Sequence, residues 1–196
     1  MTTTVDDDSR EFVAARWPEL ESVALVVLLD TERARSVTAG ALATMNRRWH
    51  DTLDAGRPGE QARAAVLRGA LTAAAPGKDV TTRSDLPHPE PGTDPTHWST
   101  VTHGEPDDDP VVTALGHAIR SAPPVERAVL AGTVLWGCVP GEVAHLLDRD
   151  ADSVTEAAAS LDRRLTAAHD AARATAELQP APWSLERDVS AAVDEI

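Results

Sequence analysis

The chain has 196 residues and a formal net charge of −14, from 18 basic and 32 acidic side chains. Hydrophobic residues reach 42% but aromatics only 3%, so a core must be built from Ala, Leu and Val, which favours helices over strands. The charge excludes a protein that grips nucleic acid over its whole surface, and a single cysteine, Cys138, excludes an internal disulfide.

The start, Met1 to Asp8, lacks the basic residues and apolar stretch of a secretory signal. The most apolar run, Val23 to Leu29, is far shorter than the roughly 20 residues that span a bilayer. A cytoplasmic protein without membrane insertion is expected. Seven of the 14 prolines lie between Pro76 and Pro110, among sparse and unperiodic apolar residues. Burial there cannot offset the entropy of ordering, so 76–109 is predicted to be a flexible acidic linker. It separates a block at 9–75 from one at 110–178, and Pro180-Ala181-Pro182 sets off a tail at 179–196. Residues 1–75 carry −2, 76–110 carry −6, 111–180 carry −3 and 181–196 carry −3.

The first helix is predicted over Ser9–Leu29, with Phe12, Val13, Leu20, Val23, Val27 and Leu28 on its apolar face. Pro18 should kink or restart it. Asp30 or Thr31 caps a second helix running to about Leu53, where Val37, Ala41, Met45 and Trp49 repeat every four residues. A third follows over Glu60–Ala75, with Ala62, Val66, Leu67, Ala70 and Leu71 inward. In the second block, Asp109 caps a helix that begins on Pro110 and buries Val111, Val112, Leu115, Ala118 and Ile119. Pro123-Pro124 opens the next helix, and Pro140 opens a short one carrying Val143, Ala144, Leu146 and Leu147. After a polar turn at Asp148–Asp152, Ser153 and Glu156 match a capping box for the last long helix. Its inward stripe is Val154, Ala157, Leu161, Leu165, Ala168 and Ala172. In the tail, Ser184 caps a helix with Leu185, Val189, Ala192, Val193 and Ile196 on one face. That helix either folds back onto the second block or binds a partner.

A short helix, a tight turn and a longer helix, with two helices in front, outline a helix-turn-helix. A plain helical bundle has the same outline. At this point the chain resembles RNA polymerase sigma factors of the extracytoplasmic-function group, of a type common in actinobacteria. Phe12 to Leu20 through Asn46-Arg47-Arg48-Trp49 resembles the family's second conserved region. Ser121 to Leu130, Trp136, Gly141 to Leu147 and Ser153-Val154 resemble its fourth region, a helix-turn-helix. The resemblance implies an all-α fold of two small helical domains joined by a disordered linker. It implies core RNA polymerase and promoter DNA as partners, an anti-sigma factor as regulator, no cofactor and no bond chemistry.

By this resemblance the polymerase-facing positions are Arg35, Ser36, Ala39 and Gly40, and the DNA-facing ones are Arg149, Ser153, Thr155, Ser160, Arg163 and Arg164, with Arg63 and Arg68 of the first block. The departures fall on these positions. Ser36, Ala39 and Gly40 stand where the family has Asp, Gln and Glu. Thr155 and Ser160 stand where basic residues are usual, and Asp148, Asp150 and Asp152 crowd the turn that approaches DNA. Fewer phosphate contacts mean less counterion release, so weak DNA affinity is expected. The same departures allow an alternative: a degenerate sigma-like regulator that acts through protein–protein contacts.

Other constellations carry less. Asp148-x-Asp150-x-Asp152 begins like a calcium loop, but Ser153 and Ala159 replace the required Gly and Glu, so it reads as a polar turn. His88, His97 and His103 lack metal-ligand spacing on a rigid element, and His50, His117, His145 and His169 are scattered over helices. No Gly-rich phosphate loop, nucleophile elbow or supported carboxylate pair points to an enzyme.

Overall fold

The computed structural model describes residues 5–75, 109–175 and 184–194, and every regular element among them is a helix. The expected linker as far as Asp108, with His88, His97 and His103, lies outside the described residues, as does the Pro180-Ala181-Pro182 break.

Helix α1 (Val5–Leu28) is the centre of the first block. Leu20, Val23, Ala24 and Val27 are enclosed, and each of the larger three contributes about 1.5–3 kcal/mol by burial. Pro18 neither breaks nor restarts α1. Pro18 and Ala14, whose carbonyl loses its helical donor, both face solvent, where water can replace the missing bond. Asp30 caps α2 (Thr31–Arg47), its Oδ1 accepting the Arg33 N–H at 3.0 Å. The single helix expected as far as Leu53 is two: the backbone turns at Arg48, and a short α3 (Trp49–Asp54) follows. Trp49 is thereby buried against Phe12, ring centroids 5.1 Å apart, which offsets the lost helical continuity. Helix α4 (Pro58–Ala73) opens on Pro58 and packs on both α1 and α2. Arg33 joins α2 to its far end by donating to the Ala73 carbonyl.

In the second block α5 (Pro110–Ser121) starts as its sequence predicts, with Asp109 Oδ1 accepting the Val111 N–H at 2.8 Å. Helix α6 (Pro124–Leu130) widens into a π-helical turn, Ala131–Leu135, that ends at Gly137 with φ +64°. Gly132 in that turn has no room for a side chain, since a Cβ would stand 2.7 Å from Val143 Cγ2. Helix α7 (Pro140–Leu147) is capped from one side only: Glu142 accepts the Val139 N–H at 3.0 Å, and Val139 has no acceptor to return. A three-residue turn, Asp148–Asp150, leads into α8 (Ala151–Thr175).

The cap of α8 differs from the sequence expectation. Asp150 accepts the Ser153 N–H at 2.9 Å, so Asp150 is the N-cap and Ser153 lies inside the first turn. Ser153 Oγ donates to the Asp150 carbonyl at 2.8 Å, and Glu156 is exposed. A carboxylate at the residue leaving the turn intercepts the free helix donors before Ser153 can. Asp148 takes the left-handed φ of +53° that closes α7. That conformation costs a non-glycine residue roughly 1 kcal/mol. Asp148→Gly, at an exposed position, is therefore expected to raise the thermal midpoint by a few degrees, and an unchanged or lower midpoint in a melting curve would count against it.

Helix α9 (Ser184–Asp194) folds back onto α5 and also touches α8. Val189, Ala192 and Val193 are buried there. His169 of α8 and Asp188 of α9, both buried, meet with Nε2 and Oδ2 3.3 Å apart. His169→Ala leaves the Asp188 carboxylate without that contact, at an expected cost of about 1–3 kcal/mol. Hydrogen exchange in α9 should then quicken while α1 and α2 keep their protection; unchanged α9 exchange would disprove the link.

The two blocks touch. Helix α1 packs against α6 and the π turn, α4 packs against α7, and the buried apolar residues of both blocks form one continuous cluster. Arg127 of α6, only 8% exposed, reaches across and donates from Nε to the Val27 carbonyl of α1 at 2.9 Å.

Candidate functional site

Helices α7 and α8 form the short-helix, turn, long-helix unit, held by Val143, Leu146 and Leu147 of α7 and Val154, Leu161 and Leu165 of α8. The outer face of this unit presents Arg149, Ser153, Thr155 and Arg163. Ser160 and Arg164 do not join them. They turn inward to Glu126 of α6, which is 5% exposed: Ser160 Oγ donates to Oε1 at 2.8 Å and Arg164 Nε to Oε2 at 3.2 Å. A buried carboxylate demands partners, and these two side chains supply them. The outer face is dominated by acids. Asp148, Asp150, Asp152, Glu156, Asp162 and Asp170 are exposed against Arg149 and Arg163, a net charge of −4.

The first-block positions are also divided. Arg68 of α4 is exposed. Arg63 lies at the seam between the blocks, bound twice to Glu19 Oε1 of α1 at 2.6 and 3.0 Å. Its other side faces the ring of Trp136, with Cζ 5.1 Å from the centroid. On α2, Arg35 is half-buried and pairs with Glu21 and Glu32, each at 3.2 Å. Ser36 and Gly40 are half-buried, and Ala39 is part of the core. A small residue at 39 thus matches packing inside this chain rather than contact with a partner.

Beside Arg63 a cleft of about 680 Å³ opens between α1 and α4 on one side and the Trp136–Cys138 segment and α7 on the other. Across it His145 Nε2 meets Glu60 Oε1 at 3.2 Å. Cys138 lines the same cleft. Burial pushes its thiol up, Glu142 pushes it further, and Arg63 pulls against both. The result is a thiol, poorly suited to nucleophilic work. Among the described residues, no three His, Cys, Asp or Glu side chains gather as metal ligands, and no helix is long and apolar enough to cross a membrane.

Sequence reasoning missed Glu126, Arg127 and the His169–Asp188 pair. Glu126 and Arg127 did leave a trace, as adjacent charges in an otherwise apolar run from Pro123 to Gly132. Compared with protein-family models, with curated proteins and with solved structures, the chain matches none.

Proposed function

We propose that the chain is a sigma-type transcription-initiation protein, two helical blocks that dock on core RNA polymerase and touch promoter DNA. One observation supports this reading: α7, the three-residue turn and α8 follow in the order short helix, turn, long helix and pack on each other, at the position where the resemblance implies a helix-turn-helix. On this reading Arg149, Ser153, Thr155 and Arg163 face DNA, and the protein positions a polymerase rather than making or breaking bonds. Arg164 and Ser160 serve Glu126 and brace α8 against α6. Polymerase contact falls to Arg35, Ser36 and Gly40 on α2, with Ala39 packing beneath them. An anti-sigma factor remains the natural regulator on this reading, and the cytoplasm the natural place.

A specific observation favours a second reading, a sigma-like regulator that works through protein contacts. The net −4 on the outer face of α7–α8 repels phosphates where a DNA reader would attract them. Run-off transcription with core polymerase from the same source separates the two. A one-to-one complex with core and initiation at some promoters is the expected result. Neither core binding nor initiation at any promoter would overturn the first reading and leave the second.

A further inference from the structure

We propose that α9 is a proton-linked strap: the protonated ring of His169, set between the carboxylates of Asp188 and Asp170, holds it on α5 and α8, and loss of that proton lets it go. This goes beyond the sigma-type reading and does not depend on it.

The apolar hold on α9 is small. The helix has 11 residues, and the described apolar side chains it buries are Val189, Ala192 and Val193, none larger than valine. A helix of that length is marginal on its own in water, so α9 is folded only while docked. A polar contact inside that interface therefore carries a large share of the docking.

The polar contact is made by His169. Its Nε2 stands 3.3 Å from Asp188 Oδ2 of α9, and its Nδ1 stands 3.5 Å from Asp170 Oδ1 of α8. Both ring nitrogens thus face carboxylate oxygens. A neutral imidazole donates from one nitrogen and carries a lone pair on the other, so one carboxylate would meet lone pair against lone pair. The doubly protonated ring donates to both and brings a positive charge to Asp188, which is 5% exposed. Asp170 is exposed, so water screens its share, and Asp188 is the stronger partner.

The other charges around the ring do not reverse this balance. On α9 the described charged side chain is Asp188. On α8, Arg173 lies one turn beyond His169 and is half-buried; it opposes a charged ring, against two carboxylates in contact with that ring. On α5, His117 and Arg120 are exposed and line a groove with Ala168 and Ala172 of α8, and Asp109 is engaged as the cap. Glu126 of α6 is taken by Ser160 and Arg164, and Glu142 and His145 of α7 line the cleft beside Arg63. A proton held in the docked state favours docking at low pH, and the hold weakens as pH rises through the range in which histidine titrates. Release uncovers the face of α5 on which α9 packs.

Hydrogen exchange read by mass spectrometry follows the strap in the full chain, as protection of the α9 amides corrected for the intrinsic exchange rate at each pH. Between about pH 6 and about pH 8.5 this protection should fall about five- to tenfold in the wild type, while α1 and α2 keep theirs. His169→Gln keeps a donor for Asp188 without a titrating ring, so its α9 protection should not change with pH. Asp188→Asn should reduce the fall to about twofold or less, and Asp170→Asn should reduce it by a smaller amount. His117→Gln should keep the full fall.

A flat wild-type profile, or an α9 without protection at every pH, would overturn the proposal. So would a wild-type fall that persists in His169→Gln, because another group would then carry the proton. If His169→Gln leaves α9 undocked at every pH, Asp170→Asn decides: a fall as steep as the wild type overturns the proposal, and a shallower one supports it. Loss of the fall in His117→Gln would assign the proton to α5 and overturn it as well.

Discussion

Arg127→Met is expected to remove about 3–5 kcal/mol of stability, a large share of the roughly 5–15 kcal/mol that holds a domain folded. The reason is where the guanidinium points. Nε donates to the Val27 carbonyl of α1, and Nη1 donates to the carbonyls of Ala122 and Arg120 at the end of α5. Helix α1 ends at Leu28 and α5 at Ser121, so these carbonyls have no donor left within their own helices. One arginine thus caps two helix C-termini in different blocks, and its charge also opposes the negative end of both helix dipoles. Burial lowers its pKa, because carbonyl dipoles replace water less completely than a carboxylate would. Methionine fills the volume and satisfies no carbonyl, leaving buried acceptors that cost about 1–3 kcal/mol each. Arg127→Lys keeps the charge without the planar fork and should recover less than half of the loss. Urea unfolding of the three chains measures this directly. A loss under about 1 kcal/mol for Arg127→Met would mean that water reaches these carbonyls and that the arginine does not join the blocks.

What was legible in the sequence is local. Asp30 before Thr31, Asp109 before Pro110, and Pro140 fixed helix starts because caps and prolines act within one turn of themselves. The stripes of Val111, Leu115 and Ile119 and of Val154, Leu161 and Leu165 fixed which faces turn inward. The errors arise where two local signals compete or where the partner is distant. Asp150 and Ser153 are both good caps three residues apart, and the Asp150 carboxylate takes the Ser153 N–H at 2.9 Å. The turn at Arg48 is settled by Phe12, more than thirty residues away, which offers Trp49 a place to bury. Glu126 binds Ser160 and Arg164 across a similar gap, and no spacing rule links them. Thr155 and Ser160 look alike in a list of helix positions, yet α6 holds one and solvent the other. Two of the six candidate DNA-facing residues on α7–α8, Ser160 and Arg164, are therefore placed only by the packing of α6.

The outer face of α8 decides between the two functional readings, and reversing its charge should have the largest functional effect. Asp152→Arg, Glu156→Arg and Asp162→Arg, introduced together, change that face from −4 to +2. All three side chains are exposed, and the cap at Asp150 is untouched, so the helix should survive with a loss of about 1 kcal/mol against its dipole. Each phosphate newly contacted contributes a slope of about −0.9 to log affinity against log salt, so three give roughly −2.7. Duplex DNA affinity near 50 mM salt should rise on the order of 100-fold, and a fourfold increase in salt should remove about fortyfold of it. The wild type should bind weakly with a slope near zero. A steep slope in the wild type would show that Arg149 and Arg163 suffice and would favour promoter contact. A flat slope in both would mean that α8 does not enter a groove, and the helix-turn-helix would be a bundle with that shape only. A flat wild type beside a steep variant would mean that the geometry is intact and that the acids alone keep DNA away. In that case the acids set the weak DNA affinity of the isolated chain, and promoter contact on the sigma-type reading must draw on core polymerase to hold α8 against the duplex.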